Sequence, residues 1–187
     1  MIYETKDFAH LIGMDGFSGE LLNDHFTLYK GYVANTNKNL ELLTKLTSGS
    51  YEAAEVRRRL GWEFNGMRLH EYYFGNLGGN GKLKSDSRLM KFIKDSFGGF
   101  ENWEKDFRAA AAMRGIGWVV LYHDTMAKKL INFWINEHDV AHPAGCQPIL
   151  VMDVFEHAFI RDYGLARGGY IDAFFKNIDW AAAEERL

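Results

Sequence analysis

Cysteine and proline are nearly missing from this chain of 187 residues, which has one of the first and two of the second. A lone Cys146 cannot close an internal disulfide or build a thiolate cluster, so any transition metal must be held by His, Asp and Glu. With only Pro143 and Pro148, turns fall mainly to the 19 glycines. Charge is nearly balanced, 22 Lys and Arg against 25 Asp and Glu, and no Lys/Arg-rich run appears. That leaves no basic field for nucleic acid. No segment reaches the roughly 18 consecutive apolar residues of a membrane span. The opening "MIYETKDFAHLIGMDG" lacks the basic-then-apolar layout of a signal peptide. A cytoplasmic chain with neither nucleic acid nor membrane as partner is the expectation. Also absent are a phosphate-binding Walker loop, the Gly-x-Gly-x-x-Gly fingerprint and the His-Glu-x-x-His signature, since "HEYYF" ends in Phe74.

What is present is 47% hydrophobic and 15% aromatic, enough for a sizeable aromatic-rich core. In 17–47, Leu21, Leu22, His25, Leu28, Tyr29 and Tyr32 recur at three- and four-residue spacing, one face of a helix that Ser18 can cap. A second helix starts at the N-cap Ser50 and runs to Gly61, and a third covers Met67 to Phe74. The glycine-rich "GNLGGNG" at 75–81 marks a boundary between residues 1–80 and 81–187. Helices follow at Ser87–Phe97 and Phe100–Met113. The period then changes: 117–124, 129–139 and 148–155 read as strands, and a helical tail closes the chain. Helices first and strands later make the fold class α+β.

Of seven histidines, three have notable company. His25 shares the leucine/tyrosine face of the first helix, and His70 lies among aromatics in "MRLHEYYF". His157 follows Asp153 by four positions in "DVFEHAFIRDY", where one continuous turn would aim both side chains to one side. Three imidazoles and a carboxylate would suit Fe, Mn or Zn. On residue chemistry alone, Asp153 as a helix cap with Glu156 and His157 on a solvated face is at least as good a reading.

The segment "DVFEHAFIRDY…RGGYIDAFFKNIDW" closely resembles the C-terminal signature of the iron/manganese superoxide dismutases, whose Asp-x-Trp-Glu-His-Ala-Tyr motif supplies two metal ligands. "FSGELLNDH", "FNGMRLHEYYFGNL", "FGGFENWEKDFRAAA" and "GIGWVVL" resemble further segments of that family, in order. The resemblance implies a helical hairpin at the N-terminus followed by a small three-stranded antiparallel sheet surrounded by helices, with the metal site between the two parts. It implies a homodimer that consumes superoxide with one Fe or Mn ion per chain, held by His25, His70, Asp153 and His157. Tyr32, seven after His25 and so two helical turns along, takes the family's gateway-tyrosine role. Counting back from Asp153 through Pro148, Gly145 and Pro143 puts His138 where family members place the residue that hydrogen-bonds solvent on the metal. His142 is an out-of-register rival. A histidine there favours iron over manganese. Trp118 and Phe155 line the pocket, Phe155 replacing the motif's tryptophan, and Glu156 is the cross-subunit partner of the ligand histidine. Lys30 and Arg167 are candidates for a cationic substrate funnel.

Two departures stand out. The family's histidine between the first ligand and the gateway is Leu28 or Tyr29 here, and its tyrosine partner across the dimer is Ile160. Losing both halves together points to an altered interface. It also keeps open a metal-binding member of the same fold with little dismutase activity, while a non-catalytic helical interaction domain is the reading from another class.

Overall fold

The computed structural model describes residues 3–187. Two long helices come first, α1 (Gly19–Lys45) and α2 (Tyr51–Phe74), joined by the short link 46–50 into a hairpin. Both start as the sequence predicts. The Ser18 hydroxyl accepts from Leu21 N at 3.0 Å and the Ser50 hydroxyl from Ala53 N at 3.2 Å, each satisfying a donor that the first helical turn leaves free. The buried face of α1 is Leu21, Leu22, His25, Tyr29, Val33 and Thr36. Leu28, expected on that face, is exposed.

The sequence expects a break after Gly61, but α2 is one continuous helix. A glycine in a helix interior costs only about 1 kcal/mol relative to alanine. Packing along α1 and burial of Met67, Leu69, Tyr73 and Phe74 outweigh that cost.

Next come α3 (Arg88–Phe97) and α4 (Phe100–Ala111), then strands β1 (Trp118–Asp124), β2 (Lys129–Ile135) and β3 (Cys146–Asp153). They form an antiparallel sheet in the order β2-β1-β3. The fold is thus α+β with a three-stranded antiparallel sheet among helices, as expected. Strand ends differ from expectation. β2 stops at Ile135 rather than 139, because Glu137 takes a positive φ of 55° and turns the chain into an Asn136–Val140 loop closed by two backbone hydrogen bonds of 3.2 Å. β3 begins before Pro148, which sits at a register shift opposite Tyr122 on the outer strand, where a missing N–H is tolerated. After the single turn α5 (Ile160–Tyr163), the helical tail expected over 168–187 is two short helices, α6 (Arg167–Lys176) and α7 (Trp180–Glu184).

The glycine-rich 75–81 segment is a pinned connector. Gly79 N donates to Asn177 O at 3.0 Å and Gly81 N to Ile178 O at 3.1 Å. A Cβ at either glycine would sit 2.3–2.4 Å from a backbone oxygen, so close approach explains both. Buried Asn76 at this junction acts as a substitute strand for the free edge of β3. Its Nδ2 donates to Val151 O at 3.2 Å and to Tyr73 O at 2.9 Å, and its Oδ1 accepts from Val151 N at 2.9 Å. Asn76→Ala would leave two buried backbone groups of Val151 unpaired. It should therefore destabilise the metal-free protein by about 3 kcal/mol, read as a lowered urea midpoint with an unchanged m-value. A shift under about 0.5 kcal/mol would show that the amide is dispensable.

Candidate metal centre

Four side chains from four separate elements converge. His25 projects from α1, His70 from α2 and Asp153 from the last position of β3, while His157 lies in the 3-10 turn Glu156–Ala158. One ligand-capable atom from each lies within 4.8 Å of all the others. His25 Nε2 and His157 Nε2 are each 3.2 Å from Asp153 Oδ2, and His70 Nε2 is 3.7 Å from it. The single continuous turn expected from Asp153 to His157 is not what joins them. The chain stays extended at Phe155 before the 3-10 turn. Asp153 Oδ1 accepts from Phe155 N at 2.8 Å. That bond braces the corner, but the N-cap of the 3-10 turn is Phe155 with no side-chain bond, and His157 faces Asp153 Oδ2. The helix-cap reading of Asp153 is therefore not met, and the clustering one is.

The protonation pattern favours a bound cation. His70 Nδ1 lies 2.6 Å from Gly66 O, and a carbonyl can only accept, so the proton is on Nδ1 and Nε2 carries a lone pair. That Nε2 is buried with no hydrogen-bond partner among the described residues, and it faces a carboxylate oxygen. A lone pair facing an anion in a dry interior calls for a positive centre between them. Burial holds His25 and His70 below the ordinary imidazole range, so both are neutral donors. Burial alone would raise Asp153, but the facing His157 and His25 outweigh it and hold the carboxyl well below its usual range. Three imidazole nitrogens and one carboxylate suit Fe, Mn or Zn, and the residues fit such an ion.

Beside these four lies a second group. The Trp118 indole, which can only donate, reaches His138 Nδ1 at 3.0 Å. The neutral ring therefore carries its proton on Nε2 and donates it to Tyr32 Oη at 2.8 Å. Burial lowers His138 to about 4 and raises Tyr32 above its ordinary range, so both are neutral at pH 7.

Residues 85–186 match the family model described as iron/manganese superoxide dismutases, C-terminal domain. The chain is 35% identical to "Superoxide dismutase [Fe]" of Aquifex pyrophilus, over 98% of this chain and 90% of that protein. The chain belongs to the iron/manganese superoxide dismutase family. It is also 36% identical to "Superoxide dismutase [Mn]" of Haloarcula marismortui, over 86% of this chain and 80% of that one. To "Superoxide dismutase [Fe]" of Cupriavidus metallidurans it is 34% identical over its whole length and 97% of the relative's.

Within this superoxide dismutase fold the remaining candidates separate clearly. The Phe155 ring lies 4.8 Å from His138, 5.2 Å from His157 and 6.2 Å from Trp118, an aromatic wall between the two groups. Glu156 is exposed, and His157 keeps 25% of its side chain open while the other three are sealed. Lys30 is exposed on α1. Arg167 is held by backbone carbonyls. Its guanidinium donates to Met113 O at 2.6 Å and Gly115 O at 2.9 Å, tying down the turn after α4. His142, the rival for the position beside the metal, bonds Tyr122 and the backbone of His138 instead.

Sequence reasoning missed Trp62. Its ring lies 4.5 Å from His138 and 5.5 Å from Tyr32, and its indole donates to Glu137 at 3.3 Å. The signal was available. Positions 62, 66 and 70 share a helical face, but a break at Gly61 left Trp62 outside any helix. Gly66 on that face lets the Tyr32 ring lie against α2, where a Cβ would come within 2.6 Å of it.

The depressed His138 value carries a stability signature. Below pH 6.5 the unfolded chain binds a proton that folded His138 refuses until about pH 4. This residue's contribution is therefore full above 6.5 and shrinks by about 3 kcal/mol as pH falls toward 4. His138→Gln lacks that titration. Urea unfolding of the metal-free proteins should show wild type losing about 2 kcal/mol relative to the variant between about pH 7 and 4.5. Parallel stability curves would contradict a buried neutral His138.

Proposed function

We propose that this protein is a superoxide dismutase: two superoxide anions and two protons become O2 and H2O2 at a mononuclear iron or manganese held by His25, His70, Asp153 and His157. The observation that carries the reading is His70 Nε2, buried, unpartnered and aimed with two further imidazoles at the Asp153 carboxylate. Bound there, the ion supplies one-electron exchange between its +2 and +3 states. One carboxylate and three neutral imidazoles leave a single negative protein charge, which supports the higher state without locking it.

The remaining tasks fall to the chain itself. His138 Nε2–H donates to Tyr32 Oη, so the Tyr32 hydroxyl proton is free to be given to a reduced substrate anion. His138 then holds the resulting phenolate oxygen until a proton from solvent replaces the one lost. Trp118 fixes the tautomer that makes this direction possible. Trp118, Phe155 and Trp62 wall the pocket and limit water, which strengthens every polar contact inside it. Lys30 supplies a positive charge near the gateway helix that favours approach of a small anion.

Iron is favoured over manganese, because a histidine rather than a glutamine stands between Trp118 and Tyr32. The chain divides at residue 80 into a helical part contributing His25 and His70 and a second part contributing Asp153 and His157. The protein acts in the cytoplasm as a homodimer. The face that leaves His157 partly open also exposes Leu28 and Ile160, at 41% and 45%, and a second copy would cover them, with Glu156 reaching the partner's centre. An apolar Leu28–Ile160 contact then takes the place of a polar pair.

Protein loaded separately with Fe and Mn should bind about one ion per chain and consume superoxide faster with iron. His70→Ala should lose most of the metal. Tyr32→Phe should keep it while turnover falls roughly tenfold or more, as for loss of a proton donor. Full metal content in His70→Ala would refute the ligand set. A metal-replete wild type that leaves superoxide at its spontaneous rate would make the protein a metal-binding relative without the activity.

A further inference from the structure

His138 reaches the pocket from a backbone that has to be held in place. It sits in the Asn136–Val140 loop, flanked by two non-glycine residues with positive φ, Glu137 at 55° and Ala141 at 75°. Such conformations cost about 1–2 kcal/mol each and persist only where the surroundings impose them. From the pocket side, Trp118 and Tyr32 grip the imidazole. From behind, the grip comes from His142. Its Nε2 is 2.8 Å from the backbone oxygen of His138, and its Nδ1 is 2.9 Å from the hydroxyl of Tyr122.

The roles in this second contact follow from the atoms. The His138 carbonyl can only accept, so His142 carries its proton on Nε2 and offers the Nδ1 lone pair to the Tyr122 hydroxyl. Tyr122 is 2% exposed, and burial keeps its hydroxyl protonated. Trp118 and Tyr122 belong to the same strand, β1, on the same face. That strand therefore holds His138 at two points, its ring directly through Trp118 and its backbone through Tyr122 and His142. With the ring bonds to Trp118 and Tyr32 alone, the loop backbone could still shift and carry Nε2 away from Tyr32. The hold on the carbonyl removes that freedom.

We propose that His142 is a positioning residue for the dismutase reaction: it clamps the His138 backbone to β1 through Tyr122, and so sets where the His138 proton is delivered. This rests on the reading of the pocket as a superoxide dismutase centre. It assigns His142 a task outside the metal ligands and the side chains that line the pocket, since its polar contacts are the His138 backbone oxygen and the Tyr122 hydroxyl.

The test uses metal-loaded wild type, His142→Ala, His142→Gln and Tyr122→Phe. Metal content, the visible absorption of the oxidised metal, azide affinity, kcat and KM are measured for each. Glutamine can place its amide N–H near the former Nε2 and keep the bond to the His138 carbonyl. His142→Ala should retain one ion per chain. Its absorption band should shift, azide affinity should change, and kcat should fall about tenfold, the low end for a residue acting through another, with KM little altered. Tyr122→Phe should move the same readouts in the same direction by less. His142→Gln should recover most of the wild-type spectrum and kcat.

Two results would overturn the proposal. One is His142→Ala or Tyr122→Phe with full metal and a wild-type spectrum, azide affinity and kcat. The other is His142→Gln that resembles His142→Ala throughout. Should His142→Ala fail to fold, Tyr122→Phe and His142→Gln still decide. The spectrum and azide arms are independent of turnover, so a wild type that binds metal without dismutating superoxide would sink the functional reading while the clamp is judged separately.

Discussion

One buried charge organises this molecule. Asp153 is fully enclosed, and an isolated carboxylate in such a place would cost several kcal/mol even after relaxation. Everything around it offsets that cost. Oδ1 takes the Phe155 N–H and Oδ2 faces three imidazole nitrogens. The backbone oxygen accepts from Tyr170 at 2.7 Å. Tyr73 and Tyr170 hydroxyls lie 3.1 Å apart, and because Tyr170 gives its proton to the carbonyl, Tyr73 donates to Tyr170. The last residue of the edge strand is thereby joined to α2 and α6, and the helical hairpin closes over the sheet around this residue. The same demand suits the proposed chemistry: a cation at the centre would satisfy the lone pairs that the fold leaves facing the carboxylate.

A second layer depends on donors of fixed direction. Trp118 can only donate, and so can Tyr122 once its partner is a lone pair. Both stand on β1, whose residues are buried on both faces, so neither can move without unpacking the sheet. Tautomers of His138 and His142 follow from these two side chains and the His138 carbonyl. In the proposed function, proton delivery through Tyr32 and His138 has one direction only because such choices are settled in advance. The sheet is thus less a platform for ligands, of which it supplies only Asp153, than a rigid reference for the hydrogen bonds around them.

Much of this was legible from residues alone, for physical reasons. Ser18 and Ser50 announce helix starts because a hydroxyl at that position meets a free N–H. The period change after residue 117 announces the sheet. Asp153 and His157 stand four apart, and the resemblance carried their pairing further than their spacing could. The losses have equally local causes. Gly61 looks like a stop, yet helix propensity is weak beside the packing of a long hairpin, and treating it as a stop hid Trp62. "KLINFWINEHD" is β-branched and aromatic enough to read as one strand to residue 139, and nothing in composition marks Glu137 as the residue that takes a positive φ. That single turn moves His138 from a strand face into the pocket. The carbonyl partners of Arg167 could not be read either, because they lie more than 50 positions away in the chain.

The central claim is that four named atoms surround one ion. Crystals of the protein loaded with iron, measured on either side of the iron absorption edge, test it directly. The account predicts one anomalous peak per chain, within about 2.3 Å of Nε2 of His25, His70 and His157 and of Asp153 Oδ2. A peak elsewhere, or one that leaves any of these four atoms beyond bonding distance, would contradict it.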